Sequence, residues 1–125
     1  MLHAGSCLCG AVNFCVEGDL PQPDICHCTR CRKQSGHCFA STDVPKTSLT
    51  IREAGALAWF QSSENIRRGF CATCGSSLFW EPTHRNWIAV AMGAFDAPTG
   101  TSVKMHIYVA EKGDYYQIAD GLTQR

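Results

Sequence analysis

The chain has 125 residues, enough for one domain over residues 1–125 that buries roughly two-thirds of the surface its unfolded form exposes, so size alone gives it no need of a metal. Eleven Lys and Arg balance eleven Asp and Glu, and the basic residues never run beyond the pairs Arg32-Lys33 and Arg67-Arg68. This excludes the positive field that nucleic acid or an anionic membrane requires, and leaves nine cysteines as the feature to be explained.

The first ten residues lack the basic start and apolar stretch of a signal peptide. No later stretch approaches the roughly 20 apolar residues that span a bilayer. The expectation is a cytoplasmic protein with reduced thiols, in which dense cysteine points to metal or catalysis rather than to disulfides.

Cys7-Leu8-Cys9 precedes a turn at Gly10. Val12, Phe14 and Val16 then alternate with Asn13, Cys15 and Glu17, the period of a half-buried strand. Cys26-His27-Cys28-Thr29-Arg30-Cys31 follows, and from Cys28 to Gly36 good helix formers end on a glycine, which predicts one or two helical turns. Cys28 and Cys31 then share a face near the helix start, where backbone N–H groups favour thiolate over thiol. Further strands are predicted at Phe39–Val44, Leu49–Arg52, Ala56–Gln61, Arg67–Cys71, Ser77–Glu81, Trp87–Met92, Lys104–Val109 and Tyr115–Ile118. The Gly and Pro residues between them favour a mainly β fold. Cys71-Ala72-Thr73-Cys74-Gly75 lies at a turn between two of these strands and has zinc-knuckle spacing, in which the turn aims both sulfurs at one point.

A tetrahedral structural zinc needs four ligands, and Cys7, Cys9, Cys71 and Cys74 supply four thiolates from distant parts of the chain. Cys26, Cys28 and Cys31 remain, and three protein ligands with an open fourth position are the arithmetic of a catalytic or substrate-binding zinc. Competing readings exist. A disulfide framework fits poorly with an odd cysteine count. His37 or Cys38, just past the helix, could close the second site and make it structural. His27, between two cysteines of one site, would point away from it and is expected to be partly exposed. Cys15 reads as a packing residue, and His3, His84 and His106 as surface or satisfied core histidines. Trp59, Phe60, Trp80 and Trp87 fit either a core or a dimer surface. Arg30, Arg32 and Lys33 flank the second site and could meet a substrate carboxylate, although a solvated helix face explains at least two of them.

Three separated motifs carry a resemblance: Ser6-Cys-Leu-Cys-Gly-Ala-Val12, Cys26-His-Cys-Thr-Arg-Cys-Arg-Lys-Gln-Ser-Gly36 and Arg68-Gly-Phe-Cys-Ala-Thr-Cys-Gly-Ser-Ser-Leu-Phe-Trp80. They resemble the signature of the glutathione-dependent formaldehyde-activating enzyme family, which also includes centromere protein V. Gly93-Ala-Phe-Asp96 and His106-Ile-Tyr-Val109 resemble its later strands. The resemblance implies a β-tent of coiled antiparallel sheets with one short helix and two zinc sites: structural on Cys7, Cys9, Cys71 and Cys74, catalytic on Cys26, Cys28 and Cys31. It also implies a carbon–sulfur lyase that joins a small-molecule thiol such as glutathione to formaldehyde or another small aldehyde, giving S-(hydroxymethyl)glutathione in the founding case. Two departures are a chain that is short for the founding enzyme and Tyr115-Tyr116 where the family commonly has Trp. A zinc-stabilised binding module without catalysis is the competing class.

Overall fold

The computed structural model describes residues 1–52 and 55–125. In chain order the strands are β1 (Leu2–Ser6), β2 (Asn13–Glu17), β3 (Asp24–Cys26), β4 (Phe39–Pro45), β5 (Leu49–Arg52), β6 (Leu57–Ser63), β7 (Ile66–Cys71), β8 (Ser77–Pro82), β9 (Trp87–Ala91), β10 (Met105–Ile107) and β11 (Thr123–Gln124), with one α-helix, α1 (Thr29–Ser35), between β3 and β4. They form a three-stranded sheet, β1-β2-β5, and an eight-stranded sheet, β11-β10-β3-β4-β9-β8-β7-β6. The fold is mainly β, as expected. Pairing is antiparallel except at β10, which runs parallel to both β3 and β11.

Alternation decides which face of each strand is buried. Val12, Phe14 and Val16 point inward and meet Val44, Leu78, Phe79, Ile88 and Val90 of the large sheet, so one apolar core joins the two sheets. Phe14 stands edge-on to Phe79 and Phe95 at centroid distances of 5.4 and 5.3 Å. Each such side chain removed from water contributes about 1.5–3 kcal/mol. The opposite face of the large sheet is different. Register there lines up Cys26 with Phe39, Asp43 with Ala89, Ala89 with Trp80, and Trp80 with Arg68.

The predicted helix lies between its expected bounds. Cys28 is the N-cap, its sulfur accepting the Cys31 N–H at 3.3 Å, and Gly36 at φ 88° ends the helix with its N–H on the Arg32 carbonyl. Only glycine adopts that φ without strain, hence the stop. Three short strands, β1, β3 and β11, were not expected. Conversely, Tyr115–Ile118 is no strand but part of an irregular segment leading to β11. Among the described residues no helix is long and apolar enough to cross a membrane.

Candidate metal centres and the cavity beside them

Two turns bring the first cysteine group together. Cys7 and Cys9 lie between β1 and β2, Cys71 ends β7 and Cys74 lies in the turn before β8; their four sulfurs all lie within 4.8 Å of one another. Cys7 and Cys9 are 3.7 Å apart and Cys9 and Cys71 3.8 Å. A tetrahedron with zinc–sulfur bonds of about 2.3 Å has edges of about 3.8 Å. The donor set and its spacing therefore fit a tetrahedral cation such as Zn²⁺. Backbone N–H groups complete the cradle: Val12 donates to the Cys7 sulfur at 3.3 Å and Cys74 to the Cys71 sulfur at 3.4 Å. The Ser76 hydroxyl, 3.2 Å from the Cys74 sulfur, also accepts the Leu8 N–H and so ties one turn to the other. Ser76 draws the Cys74 thiol down to about 5. Cys9, despite the Ala11 N–H that favours its thiolate, is pushed up to about 11 by lost hydration and the neighbouring sulfurs. Four thiols at one point cannot all ionise by themselves, whereas a divalent cation at their centre lets them.

The second group is local in sequence. Cys26 ends β3, Cys28 caps α1 and Cys31 lies in its first turn, again with all sulfurs within 4.8 Å. Cys31 is buried while Cys26 and Cys28 are half-buried. The hydrogen bond from Cys26, helped by Arg68 and opposed by burial, pulls the Cys31 thiol down to about 5. Cys31 and burial push the Cys26 thiol up. Neither His37 nor Cys38 belongs to the group. His37 is exposed and pairs with the Tyr115 hydroxyl at 2.6 Å, and burial raises the Cys38 thiol.

A cavity of about 600 Å³ opens beside these three cysteines. Its wall is aromatic, with Trp80 and Trp87 stacked at 5.7 Å and Phe39 beside Cys26 and Cys31. Its charged groups are Asp24, Asp43, Arg30, Arg68 and Glu111. Of the three helix cations, only Arg30 lines this cavity. Trp59 instead packs on Phe79 with the Arg67 guanidinium over its ring, and Phe60 is exposed. Arg68 was not singled out by its sequence, although an arginine midway along a strand that leads into a zinc knuckle is a usable signal.

His27 corrects an expectation. It does point away from the cysteines, but into protein, and is only 2% exposed. Its Nδ1 meets the Tyr116 hydroxyl, its Nε2 meets His106 Nδ1 at 2.9 Å, and His106 Nε2 meets Asp120 at 2.7 Å. Burial, then the neighbouring His106, lowers the His27 pKa, so the ring is neutral and each nitrogen has one partner. This chain of four side chains anchors the C-terminal segment behind the β3–α1 corner. His106 is thus a satisfied core residue and Tyr116 a half-buried partner, both tied to the peptide that carries Cys26 and Cys28.

Comparison with known proteins places this geometry. A Rhodobacter sphaeroides protein of known crystal structure, 22% identical, superposes with a TM-score of 0.64 over 80% of this chain and 98% of its own, which supports the fold. A Schizosaccharomyces pombe protein named as an uncharacterized lyase is 25% identical over 94% of this chain and 86% of its own length. A Halomonas elongata protein, provisionally named a glutathione-dependent formaldehyde-activating enzyme, is 28% identical over 94% of this chain and 82% of its own length. Residues 2–111 match the family profile of that description. With both cysteine groups inside that span, the chain belongs to the glutathione-dependent formaldehyde-activating enzyme family.

Proposed function

We propose that this protein is a two-zinc enzyme of one domain that joins a small-molecule thiol to a small aldehyde, with glutathione and formaldehyde as the substrates its family name suggests. Cys7, Cys9, Cys71 and Cys74 hold the structural ion, and Cys26, Cys28 and Cys31 the catalytic one. The observation that carries this reading is the contrast between the two groups: four sulfurs at the spacing of a complete tetrahedron, against three beside a cavity large enough for a tripeptide-sized ligand.

A zinc ion held by the three thiolates would supply a coordination position that favours a substrate thiol in its thiolate form. The chain's own residues do the remainder. The Trp80–Trp87 wall excludes water and confines the aldehyde, and confinement converts a slow bimolecular addition into an effectively unimolecular one. Arg30 at the rim offers a guanidinium to a carboxylate of the thiol. Free thiols throughout suit a reducing compartment such as the cytoplasm.

The test is to load the purified protein with zinc, add glutathione and formaldehyde, and follow S-(hydroxymethyl)glutathione by NMR against a protein-free blank and a Cys28→Ser variant. The wild type is expected to exceed the blank, and Cys28→Ser to fall to it with one zinc per chain in place of two. A wild-type rate equal to the blank rejects catalysis of this reaction and leaves a zinc-stabilised binding module. Two zincs retained in Cys28→Ser would reject the assignment of the second site.

A further inference from the structure

We propose that Arg68 binds the aldehyde oxygen and carries the negative charge that develops on it, an assignment that rests on the thiol–aldehyde reading above. Arg68 lies in β7 with only 5% of its surface exposed. Its Nε donates to the Ser62 hydroxyl at 3.3 Å and its Nη1 to the Cys31 sulfur at 3.5 Å. Among the described residues no carboxylate lies within ion-pair distance of it. The adjacent Arg67 is the contrast: it is committed to Glu81 and covers the Trp59 ring at 3.9 Å. A guanidinium has five N–H donors, so two hydrogen bonds leave three unused. A buried cation with spare donors and no carboxylate is costly unless it faces an anion. The cysteine group supplies one such anion on one side, and the cavity, which Arg68 also lines beside Trp80, has room for another.

Position decides which oxygen that is. In a thiol such as glutathione the carboxylates lie several bonds from the sulfur, beyond the reach of a cation that itself touches the Cys31 sulfur. An aldehyde oxygen is bonded to the very carbon that the thiol sulfur attacks, and so must sit next to those sulfurs. The step balances. The thiolate sulfur forms a bond to the carbonyl carbon, the carbon–oxygen π bond breaks, and its electron pair stays on oxygen. The alkoxide then takes a proton from water, and the hydroxide left is neutralised by the proton the thiol released on binding. Charge thus moves from sulfur to oxygen within the reach of one guanidinium. Preorganised donors of this kind are worth about 10²–10³ in rate each.

The experiment uses the full chain loaded with zinc, with Arg68→Met and Arg68→Lys beside the wild type. Zinc per chain, the glutathione dissociation constant from quenching of the cavity tryptophans, and kcat and KM for formaldehyde are measured for each. Arg68→Met should keep two zincs and a glutathione affinity within threefold of wild type, while kcat falls about 100-fold. Arg68→Lys keeps the charge with poorer geometry and should recover about tenfold of that loss. Weakened glutathione binding with unchanged kcat makes Arg68 a carboxylate anchor and overturns the assignment. Loss of the second zinc from both variants makes it only a counter-charge for the cysteines and overturns it equally. If Arg68→Met does not fold, Arg68→Lys decides alone: a wild-type kcat overturns the assignment, and a tenfold drop with zinc and affinity intact supports it. A wild type no faster than the blank sinks the reaction and this assignment together, whereas a fast wild type with an equally fast Arg68→Met sinks this assignment alone.

Discussion

A Cβ added at Gly5 would lie 2.5 Å from both the Ala94 carbonyl oxygen and Phe14 Cζ, closer than any side chain can sit. Gly5→Ala must therefore displace Phe14 from its contacts with Phe79 and Phe95. The expected cost is about 1–3 kcal/mol, read as a lower midpoint in denaturant unfolding, and an unchanged midpoint would mean that the backbone gives way instead. Glu81 supplies a pH-dependent case. Burial alone would raise its pKa, but Arg67 and Lys46, the latter at 3.1 Å, outweigh that and hold it below the ordinary 4.5. Because the folded value is the lower one, the pairing stabilises the fold fully above about 4.5 and loses its effect as pH falls through the folded value. Glu81→Gln should thus lower the melting temperature at pH 7, with the deficit shrinking toward pH 3. A deficit independent of pH would assign the effect to packing.

At the scale of elements, the β3–α1 corner is held from behind by Tyr116, His27, His106 and Asp120. His106→Ala leaves a buried His27 nitrogen without its partner, at a cost of about 1–3 kcal/mol, and should speed chelator removal of metal from the Cys26, Cys28 and Cys31 group. A thermal melt and a zinc-release trace check the two effects, and wild-type behaviour in both would show that the corner stands without the tail. This element also marks where the sequence stopped being informative. The cap-to-cap span from Cys28 to Gly36 was readable because a glycine stop and a helical run are local signals. β1 was not, since its inward positions are His3 and Gly5 and its alternation carries no hydrophobic contrast. β3 is three residues long, too short for any period to register. Tyr115 and Tyr116 have strand propensity, but their hydroxyls go to His37 and His27, and these tertiary bonds outweigh a local preference of about 1 kcal/mol. Expecting His27 to be partly exposed failed for the same reason: the direction away from the cysteines was correct, and what lay there depended on a segment 79 to 93 residues further on in numbering, at His106 and Asp120.

Across the whole molecule, the Cys7, Cys9, Cys71 and Cys74 group joins the hairpin of the small sheet to the β7–β8 turn of the large one. Stripping metal from it should do more than lower activity. Cys74→Ser is expected to unfold at a markedly lower denaturant concentration than Cys28→Ser, because metal at a site assembled by folding contributes its binding energy to folding. Circular dichroism during titration with denaturant checks the order, and equal midpoints would reject the structural role. The two cysteine groups were legible from spacing alone, as sulfur counting needs no tertiary knowledge. The cavity was not, because Asp24, Arg68, Trp80, Trp87 and Tyr108 come from strands and loops that only the sheet order brings together.

The unequal reach of the two cysteine groups also sets a timetable. On a growing polypeptide, Cys26, Cys28 and Cys31 are all out once residue 31 has left the ribosome, and three thiols this close in sequence can capture an ion before any sheet exists. Cys7 and Cys9 must wait until residue 74 is out. A nascent chain short of zinc therefore spends this interval with Cys7 and Cys9 exposed to oxidation and to mispairing with the other cysteines. Its yield in a cell should track zinc supply during synthesis more closely than the stability of the finished protein does.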